Sequence, residues 1–246
     1  MEFKTSISKV TEDDMILRGE KHSNIINAVS FSDAIFFLFK SQKPKKSESR
    51  IFSALLTACI DHGIGTTSTL ATRTVMSGGN SLNTAVGAGI LALGTFHGGA
   101  IEGCMRELQK IKETKKTAEE YVSQMLKEKK TILGFGHKVY KKQDPRVMQL
   151  ISLCKEEEIG TQNESYITLA KSIEEEIEKQ KGKKIILNID GLCAAILLEM
   201  NFSAEEGNGI FIIARTPGLT MHAIEERSRE KPVRRIEENN IQYDGK

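Results

Sequence analysis

Apolar residues recur through much of this chain at intervals of three and four residues, the spacing of an amphipathic helix. Two segments show the pattern most clearly, one with Val147, Leu150, Ile151 and Cys154 and the other with Tyr166, Leu169, Ala170, Ile173 and Ile177. Asp144 followed by Pro145 is typical of an N-cap and the first helical position, so the first of these helices is predicted to begin there. The pattern predicts that helices dominate the fold.

Polar residues that can cap a helix precede further apolar runs. The capping pairs are Ser30 with Asp33, Thr117 with Glu120, and Ser203 with Glu206, of which the last two fit the capping box. The charged stretches 112–130 and 155–184 are interpreted as solvated helix faces. Residues 41–50, rich in Lys and Ser, are predicted to form a loop, and the β-branched run 185–189 favours a strand by propensity alone. We therefore predict an all-α fold with little sheet.

Length, charge and cysteine usage narrow the class of protein. The 246 residues suit one large domain or two modest ones, and the formal net charge of +2 gives no support for nucleic-acid binding. The polar N-terminus has no signal-peptide core, and no apolar run near it is long enough to cross a bilayer. Four cysteines without a CxxC pair predict neither a disulfide framework nor a metal site. We expect a cytoplasmic protein that binds neither nucleic acid nor membranes.

Histidines beside glycines are the main candidates for chemistry. His62, His97 and His137 each have such neighbours, as expected where an element ends and a ring can reach a ligand. Each alone is more often structural, but an acid at Asp190, inside the apolar run LNIDGLCAA, strengthens the set. A lone carboxylate is costly to bury without a partner or a task. His222, in the apolar GLTMHAIEE, is interpreted as a packing residue.

The segment GFGHKVY is rich in glycine, yet it lacks the spacing of either nucleotide-binding glycine loop. Triphosphate chemistry is therefore a weak interpretation. The lysines Lys138, Lys141 and Lys142 can still meet the phosphates of a cofactor by charge, and we take them as candidate cofactor-binding residues.

Five ordered motifs resemble the citrate synthase superfamily and together cover about residues 50–225. GFGHKVYKKQDPR is similar to the GFGHRVY and DPR motif of that family, and FHGGA to its HGGA segment. DHG matches its DH turn, LNIDG its stretch with the catalytic Asp, and IARTPGLTMH its IAR helix. The resemblance implies an all-α fold in which a large domain, 1–98 with 204–246, carries a smaller inserted domain, 99–203. The site would lie in the cleft between these domains.

Carried over residue by residue, the resemblance implies a catalytic trio and a set of carboxylate-binding residues. The trio is His97, His137 and Asp190, and the substrate-binding residues are His62, Arg146, Arg215 and either Arg234 or Arg235. The last arginine would enter the site of a partner subunit, so a homodimer with shared active sites is expected. No permanently bound cofactor and no metal are implied, because a coenzyme A thioester serves as substrate or product.

These residue types suit the making or breaking of a carbon–carbon bond beside a thioester. Asp190 can move the methyl proton of an acetyl group, while His97 hydrogen-bonds the thioester oxygen where charge develops. His137 can exchange a proton with the oxygen that is a ketone in oxaloacetate and a hydroxyl in the citryl group. Planar guanidinium groups suit bidentate binding of the acid's carboxylates.

The direction of the reaction is left open by the motifs, although one direction is favoured. LNIDGL is closer to the LNVDGL of the citryl-CoA lyase module of ATP-citrate lyase than to the NVDF of synthases, and only 61 residues precede His62. The resemblance therefore favours a stand-alone citryl-CoA lyase that forms acetyl-CoA and oxaloacetate. A citrate or methylcitrate synthase is the alternative within the superfamily. A non-catalytic regulatory subunit of the same fold is the alternative of another class, and the intact trio argues against it.

Overall fold

A computed structural model describes residues 2–95 and 97–245 of the protein. Three short strands come first: β1 (Ser8–Val10), β2 (Met15–Leu17) and β3 (Glu20–Lys21). The helices that follow are α1 (His22–Ala28), α2 (Phe31–Lys40), α3 (Lys46–Cys59), α4 (Thr67–Ser77), α5 (Leu82–Leu91), α6 (Ala100–Glu113), α7 (Ala118–Lys127), α8 (Pro145–Glu156), α9 (Tyr166–Lys181), α10 (Ile189–Glu199), α11 (Ala204–Arg229) and a short 3-10 helix, Glu238–Asn240. The prediction of a helical fold with little sheet is confirmed. Within the described residues, no helix combines the length and apolar content of a membrane span.

The strands form one small antiparallel sheet in the order β1-β2-β3. Ser8 pairs with Leu17 across the first ladder, and Ile16 pairs with Lys21 across the second. The turn between β2 and β3 passes through Arg18 and Gly19 at positive φ, and Nε of Arg18 donates to the carbonyl oxygen of Leu38 at 2.7 Å. This hydrogen bond attaches the turn to α2.

Contacts along the chain divide it into two compact units. The first unit is Met1–Ala58 with Ala100–Phe211, and the second is Cys59–Gly99 with Ile212–Lys246. Helix α11 begins in the first unit and continues into the second. The domain boundaries expected from the resemblance, 1–98 with 204–246 and 99–203, differ from this division mainly in the first 58 residues. Those boundaries stay a prediction.

Helix α10 is the central buried helix of the first unit. Its residues from Gly191 to Leu198 are all buried, as expected of a helix that is apolar on every face, and it packs against α6 and α9. A separate aromatic cluster joins Phe36, Phe52 and Phe202, with ring centroids 5.3 to 5.7 Å apart. Burial of each ring stabilises this unit by about 1.5–3 kcal/mol.

In the second unit, α4 packs against α5, and a small residue allows the close approach. A Cβ at Gly89 would collide with the hydroxyl of Thr72 and lie 3.1 Å from the carbonyl oxygen of Ser68. Met76, Ala85 and Ala223 form a buried cluster beside this contact, so α11 also takes part in the core of the unit.

The helix-start signals read from the sequence are confirmed. Ser30 accepts a hydrogen bond from the N–H of Asp33. Both bonds of a capping box are present between Thr117 and Glu120 and between Ser203 and Glu206. Asp144 accepts a hydrogen bond from the N–H of Arg146, and Pro145 is the first helical residue. Each of these signals depends on residues within three positions of each other, so the local sequence is enough to specify it.

Two local predictions are wrong in part. Residues 46–50 are the first turn of α3 and not a loop, because Glu48 accepts a hydrogen bond from the N–H of Lys45 at 2.7 Å and caps the helix. The apolar face of α3 begins only at Ile51, so its first turn has the composition of a loop. The run 185–189 forms only an isolated bridge, between Leu187 and Phe135, because Asn188 caps α10 and the helix begins at the next residue.

Candidate functional site

In the first unit, the glycine-rich loop before His137 is hydrogen-bonded to the start of α10, which carries Asp190. The N–H of Gly136 donates to the carbonyl oxygen of Ile186 at 2.7 Å, and the N–H of Asn188 donates to that of Gly134 at 3.0 Å. The two backbones also touch where Gly134 meets Gly191. A Cβ on Gly134 would lie 2.7 Å from the Cα of Gly191, and Gly134 has a φ of +87°. Glycine is therefore required at both positions.

The ring of His137 is held in one orientation by its own loop. Its Nδ1 accepts hydrogen bonds from the N–H groups of Val139, at 3.0 Å, and Tyr140, at 2.9 Å. The ring also stacks on that of Tyr140, with centroids 4.6 Å apart. Because Nδ1 accepts twice, the proton of the neutral ring lies on Nε2. His137 thus offers an N–H donor at Nε2.

The pKa of His137 lies below its usual range, chiefly because burial disfavours the charged ring. The carboxylate of Asp144 opposes this shift, whereas the positive charges of Arg146 and Lys141 add to it. The net effect keeps the ring neutral at physiological pH.

Asp190 lies in the first turn of α10, where the helix dipole favours a negative charge. It is half-buried and lies close enough to Cys104 of α6 to affect that thiol. Burial, with the charge of Asp190 as the next cause, raises the pKa of Cys104 to about 12. Cys104 is therefore a neutral, unreactive thiol beside the acid.

Arg146, expected to bind a substrate carboxylate, forms a bidentate ion pair with the buried Asp144. Nε and Nη2 of Arg146 lie 3.0 and 2.7 Å from the two oxygens of Asp144. Burial would raise the pKa of Asp144, but the hydrogen bond and charge of Arg146 outweigh it and lower that pKa. The pair fixes the orientation of the guanidinium at the start of α8.

The three candidate cofactor-binding lysines lie on the segment that follows His137. Lys141 donates from Nζ to the carbonyl oxygen of His137 at 2.9 Å, and Lys138 and Lys142 are exposed. Phe135, within the glycine-rich loop, lines a cavity of about 450 Å³. Most of the other side chains around that cavity are apolar or basic, among them Ile132, Ile185, Lys129, Lys130 and Lys181, and Thr131 is polar.

In the second unit, His97 lies in a tight turn before α6. The N–H of Gly94 donates to the carbonyl oxygen of His97 at 2.7 Å, and the reverse bond is 2.8 Å. Nε2 of the ring lies 2.8 Å from the hydroxyl oxygen of Ser68, a buried residue of α4. His97 and His137 therefore use different ring nitrogens for these contacts. Phe96 of the FHGGA motif lies outside the described residues.

Three residues on one face of α11 hold the segment 59–63 that carries His62. Nε of the buried Arg215 donates to the carbonyl oxygen of Cys59 at 2.8 Å. One turn further on, Gly218 lies so close to Ile60 that a Cβ would collide with its carbonyl oxygen. His222 then completes the set, because its Nε2 lies 3.1 Å from Oδ1 of Asp61.

The carboxylate of Asp61 organises the turn that presents the exposed His62. It accepts a hydrogen bond from the N–H of Gly63 at 2.9 Å and interacts with that of His62. Burial opposes its charge, but these N–H groups and the ring of His222 outweigh burial and lower the pKa of Asp61. His222 is thus a polar support of the turn, a role that its apolar sequence neighbours concealed.

The tail residues expected to reach a partner subunit differ in their surroundings. Arg234 forms a bidentate pair with the buried Glu226, at 2.8 and 2.6 Å, and Glu226 also lies 2.7 Å from Nε of the buried Arg73. Arg235 is exposed. The structure therefore attaches Arg234 to its own chain.

The predicted site residues thus fall into two groups. His137, Asp190 and Arg146 belong to the first unit, and His62, His97, Arg215, Arg234 and Arg235 belong to the second. Their roles in catalysis and binding stay predictions. In the described parts of the chain, no group of three or more His, Cys, Asp or Glu side chains is arranged to hold a metal ion.

Comparison with known proteins assigns the chain to a family. The family described as "Citrate synthase, C-terminal domain" matches residues 3–236, so the chain belongs to the citrate synthase family. This confirms the resemblance drawn from the five motifs.

Among solved structures, the chain is similar to citryl-CoA lyase from Hydrogenobacter thermophilus, with 41% identity and a TM-score of 0.92 over 99% of this chain and 95% of that chain. ATP citrate lyase from Methanothrix soehngenii has the same fold at 24% identity, with a TM-score of 0.89 over 99% of this chain and 42% of that one. Citrate synthase 2 of Bacillus subtilis (strain 168) is 28% identical over 204 residues, 82% of this chain and 54% of its own. The chain spans 54–59% of the length of the curated citrate synthases that it matches.

Proposed function

We propose that this protein is a citryl-CoA lyase that cleaves citryl-CoA to acetyl-CoA and oxaloacetate. The observation that carries the proposal is the match to the lyase of Hydrogenobacter thermophilus, which extends over 95% of that chain at 41% identity. The matched citrate synthases are nearly twice as long as the matched region. The site residues add the chemical reason, because His97, His137 and Asp190 are all present.

The cleavage follows from the proton positions that the site residues favour. Nε2–H of His137 donates a hydrogen bond to the hydroxyl oxygen of the citryl group, the hydroxyl proton passes to the carboxylate of Asp190, and the carbon–carbon bond breaks as that oxygen becomes the ketone of oxaloacetate. The electron pair of that bond forms the enolate of acetyl-CoA, whose oxygen is stabilised by a hydrogen bond from His97. Asp190 then returns this proton to the enolate carbon, which becomes a methyl group.

Binding of the oxaloacetate part is assigned to His62, Arg146 and Arg215, on the resemblance of their motifs. The burial of Arg215 and the bidentate pairing of Arg146 support this assignment, because an oriented guanidinium loses less entropy when it binds a carboxylate. The coenzyme A part is assigned to Lys138, Lys141 and Lys142. The apolar and basic cavity beside Phe135 supports a nearby position for the nucleotide of coenzyme A.

We infer that Arg235, and not Arg234, is the arginine donated to the site of a partner subunit. The in-chain pair of Arg234 with Glu226 supports this choice. The test is to mix two inactive variants, Arg235→Ala and His137→Ala, and to allow the subunits to exchange. Partial recovery of activity is expected, because one site in each hybrid dimer contains only intact residues. If activity stays absent after exchange is demonstrated, the sites are not shared through Arg235.

The second candidate function is citrate or methylcitrate synthase, which the names of the curated relatives favour. Incubation with chemically made citryl-CoA separates the two. A lyase releases acetyl-CoA and oxaloacetate, whereas a synthase releases citrate and free coenzyme A by hydrolysis. The matched control is Asp190→Asn protein purified in the same way, which should form products more slowly by roughly 100-fold or more. If the unaltered protein forms neither set, the non-catalytic alternative is supported and the proposal is wrong.

A further inference from the structure

Asn188 lies between the two catalytic candidates of the first unit and contacts the backbone beside each of them. Its side-chain oxygen accepts a hydrogen bond from the N–H of Gly191 at 3.1 Å, which caps α10 two residues before Asp190. Its side-chain nitrogen donates to the carbonyl oxygen of Gly136 at 2.8 Å, one residue before His137. One amide group therefore bonds both segments.

The two contacts have opposite polarity, and this determines which side chain can make them. Gly191 presents a donor and Gly136 presents an acceptor, so the group between them needs an oxygen on one side and an N–H on the other. Aspartate would place an oxygen against the carbonyl oxygen of Gly136, and serine would cap the helix but would be too short to reach the loop. Only an amide at this reach satisfies both.

Backbone hydrogen bonds also join the glycine-rich loop to the segment before α10, but they do not hold the carbonyl group that directly precedes His137. The bonds from Gly136 to Ile186 and from Asn188 to Gly134 join the two segments upstream of His137. The carbonyl of Gly136 is the last group before the histidine, and Asn188 is what holds it. The chain therefore fixes the distance between the histidine and the acid at a point adjacent to both.

We propose that Asn188 is a positioning residue that sets His137 and Asp190 relative to each other for proton transfer. This inference rests on the proposed function for its effect on turnover. The two hydrogen bonds of the Asn188 amide, to Gly191 and to Gly136, together form what we call the tie, and they concern only the structure of the first unit. Because both groups act on the same substrate, a shift of either group by about 1 Å is enough to slow the reaction by roughly 100-fold.

Three variants test the proposal. Asn188→Ser and Asn188→Asp each keep a capping oxygen for α10 and lose the bond to Gly136. The matched control is Ser165→Ala, which removes the cap of α9 in the same unit without touching the loop. We expect both Asn188 variants to lower turnover of citryl-CoA by roughly 10- to 100-fold with KM changed less than about threefold. Ser165→Ala should keep the turnover of the unaltered protein.

A second readout does not depend on activity. NMR of histidine-labelled protein, with the ring of His137 assigned from a His137→Gln variant, follows its titration. Loss of the tie loosens the loop and exposes the ring, so its titration midpoint should rise toward about 6.5 in the Asn188 variants and stay unchanged in Ser165→Ala. If Asn188→Ser does not fold, Asn188→Thr takes its place, because threonine also caps a helix and is uncharged, whereas the carboxylate of Asn188→Asp would itself raise the midpoint.

The possible outcomes separate the two proposals. If the unaltered protein does not cleave citryl-CoA, the proposed function fails, and the tie is judged by the His137 titration alone. An unmoved titration in both Asn188 variants overturns the tie, whether or not turnover falls, because any loss would then arise away from His137. A moved titration with full turnover also overturns the positioning role.

Discussion

Gly218 lies on α11 at a position where alanine would favour the helix but would collide with the neighbouring segment 59–63. In a helix interior, alanine is more favourable than glycine by about 1 kcal/mol. At this position, however, a Cβ would collide with the carbonyl oxygen of Ile60 and lie 3.1 Å from both Cβ and Oδ1 of Asp61. A backbone carbonyl cannot turn aside as the end of a flexible side chain can. The segment 59–63 therefore has to move.

The size of the effect follows from these contacts. Overpacking of this kind costs about 1–3 kcal/mol, which cancels or exceeds the gain in helix propensity. Restoring ordinary contact requires a retreat of about 1 Å. That retreat stretches the bond from Arg215 to Cys59, now 2.8 Å, and the contact of His222 with Asp61, now 3.1 Å. His62 moves with the segment, and its proposed contact with oxaloacetate weakens by roughly 10-fold or more.

The matched control is Gly209→Ala on the same helix, where the nearest atoms to a Cβ are those of Phe39 at 3.5 and 3.6 Å. Gly209→Ala should raise Tm by about 2–4 °C, because it gains propensity without a collision. Gly218→Ala should leave Tm unchanged or lower it, and should weaken oxaloacetate binding measured by calorimetry. If Gly218→Ala raises Tm as much as Gly209→Ala and binds oxaloacetate equally well, the conclusion that α11 holds the segment 59–63 in place is wrong.

Three further predictions concern the acid, the buried ion pair and the pH dependence. Asp190→Asn keeps the shape of the acid but removes its proton transfer, so turnover should fall by roughly 100-fold or more with oxaloacetate binding retained, and turnover equal to the unaltered protein would refute the assignment. Glu226→Ala leaves the buried Arg73 without its shortest ion pair, so the free energy of unfolding measured by calorimetry should fall by about 3–5 kcal/mol. Glu225 is more exposed, so Glu225→Ala should change Tm little. Because burial lowers the pKa of His137, its ring stays neutral to lower pH than an ordinary histidine. The fall of kcat/KM on the acid side of its pH profile should therefore have its midpoint below about pH 6.5. A midpoint above that value contradicts a mechanism in which the ring is neutral.

Most of the helical organisation could be predicted from the sequence, because its signals are local. The capping box at Thr117 and the Asp144-Pro145 start each depend on a few neighbouring residues. The start of α3 is not predicted because its first turn is polar and its core-facing residues begin only at Ile51. The run 185–189 favoured a strand because its residues are β-branched and buried, whereas Asn188 imposes a helix start that propensity does not detect.

The candidate catalytic residues could also be named from the sequence, since motifs mark them, but their supports could not. The bond from Asn188 to Gly136 joins residues 52 positions apart, and the close approach of Gly134 to Gly191 joins residues 57 apart by the numbering. Local periodicity carries no information about such pairs. The glycines themselves are a visible signal, because a glycine beside a histidine or an acid often marks a close backbone contact.

His222 shows how such a support can be found from a sequence. Judged by its neighbours alone, it is a histidine in an apolar helix, for which packing is the usual interpretation. Its spacing from Arg215 and Gly218 is more informative, because residues seven and four positions apart lie on one face of a helix. A face that carries an arginine, then a glycine, then a histidine combines two hydrogen-bonding groups with a gap between them. Such a face can receive a polar backbone segment, and here it receives residues 59–63. In this chain the pattern indicates a backbone-binding face, because Arg215 lies one turn before Gly218 and two turns before His222.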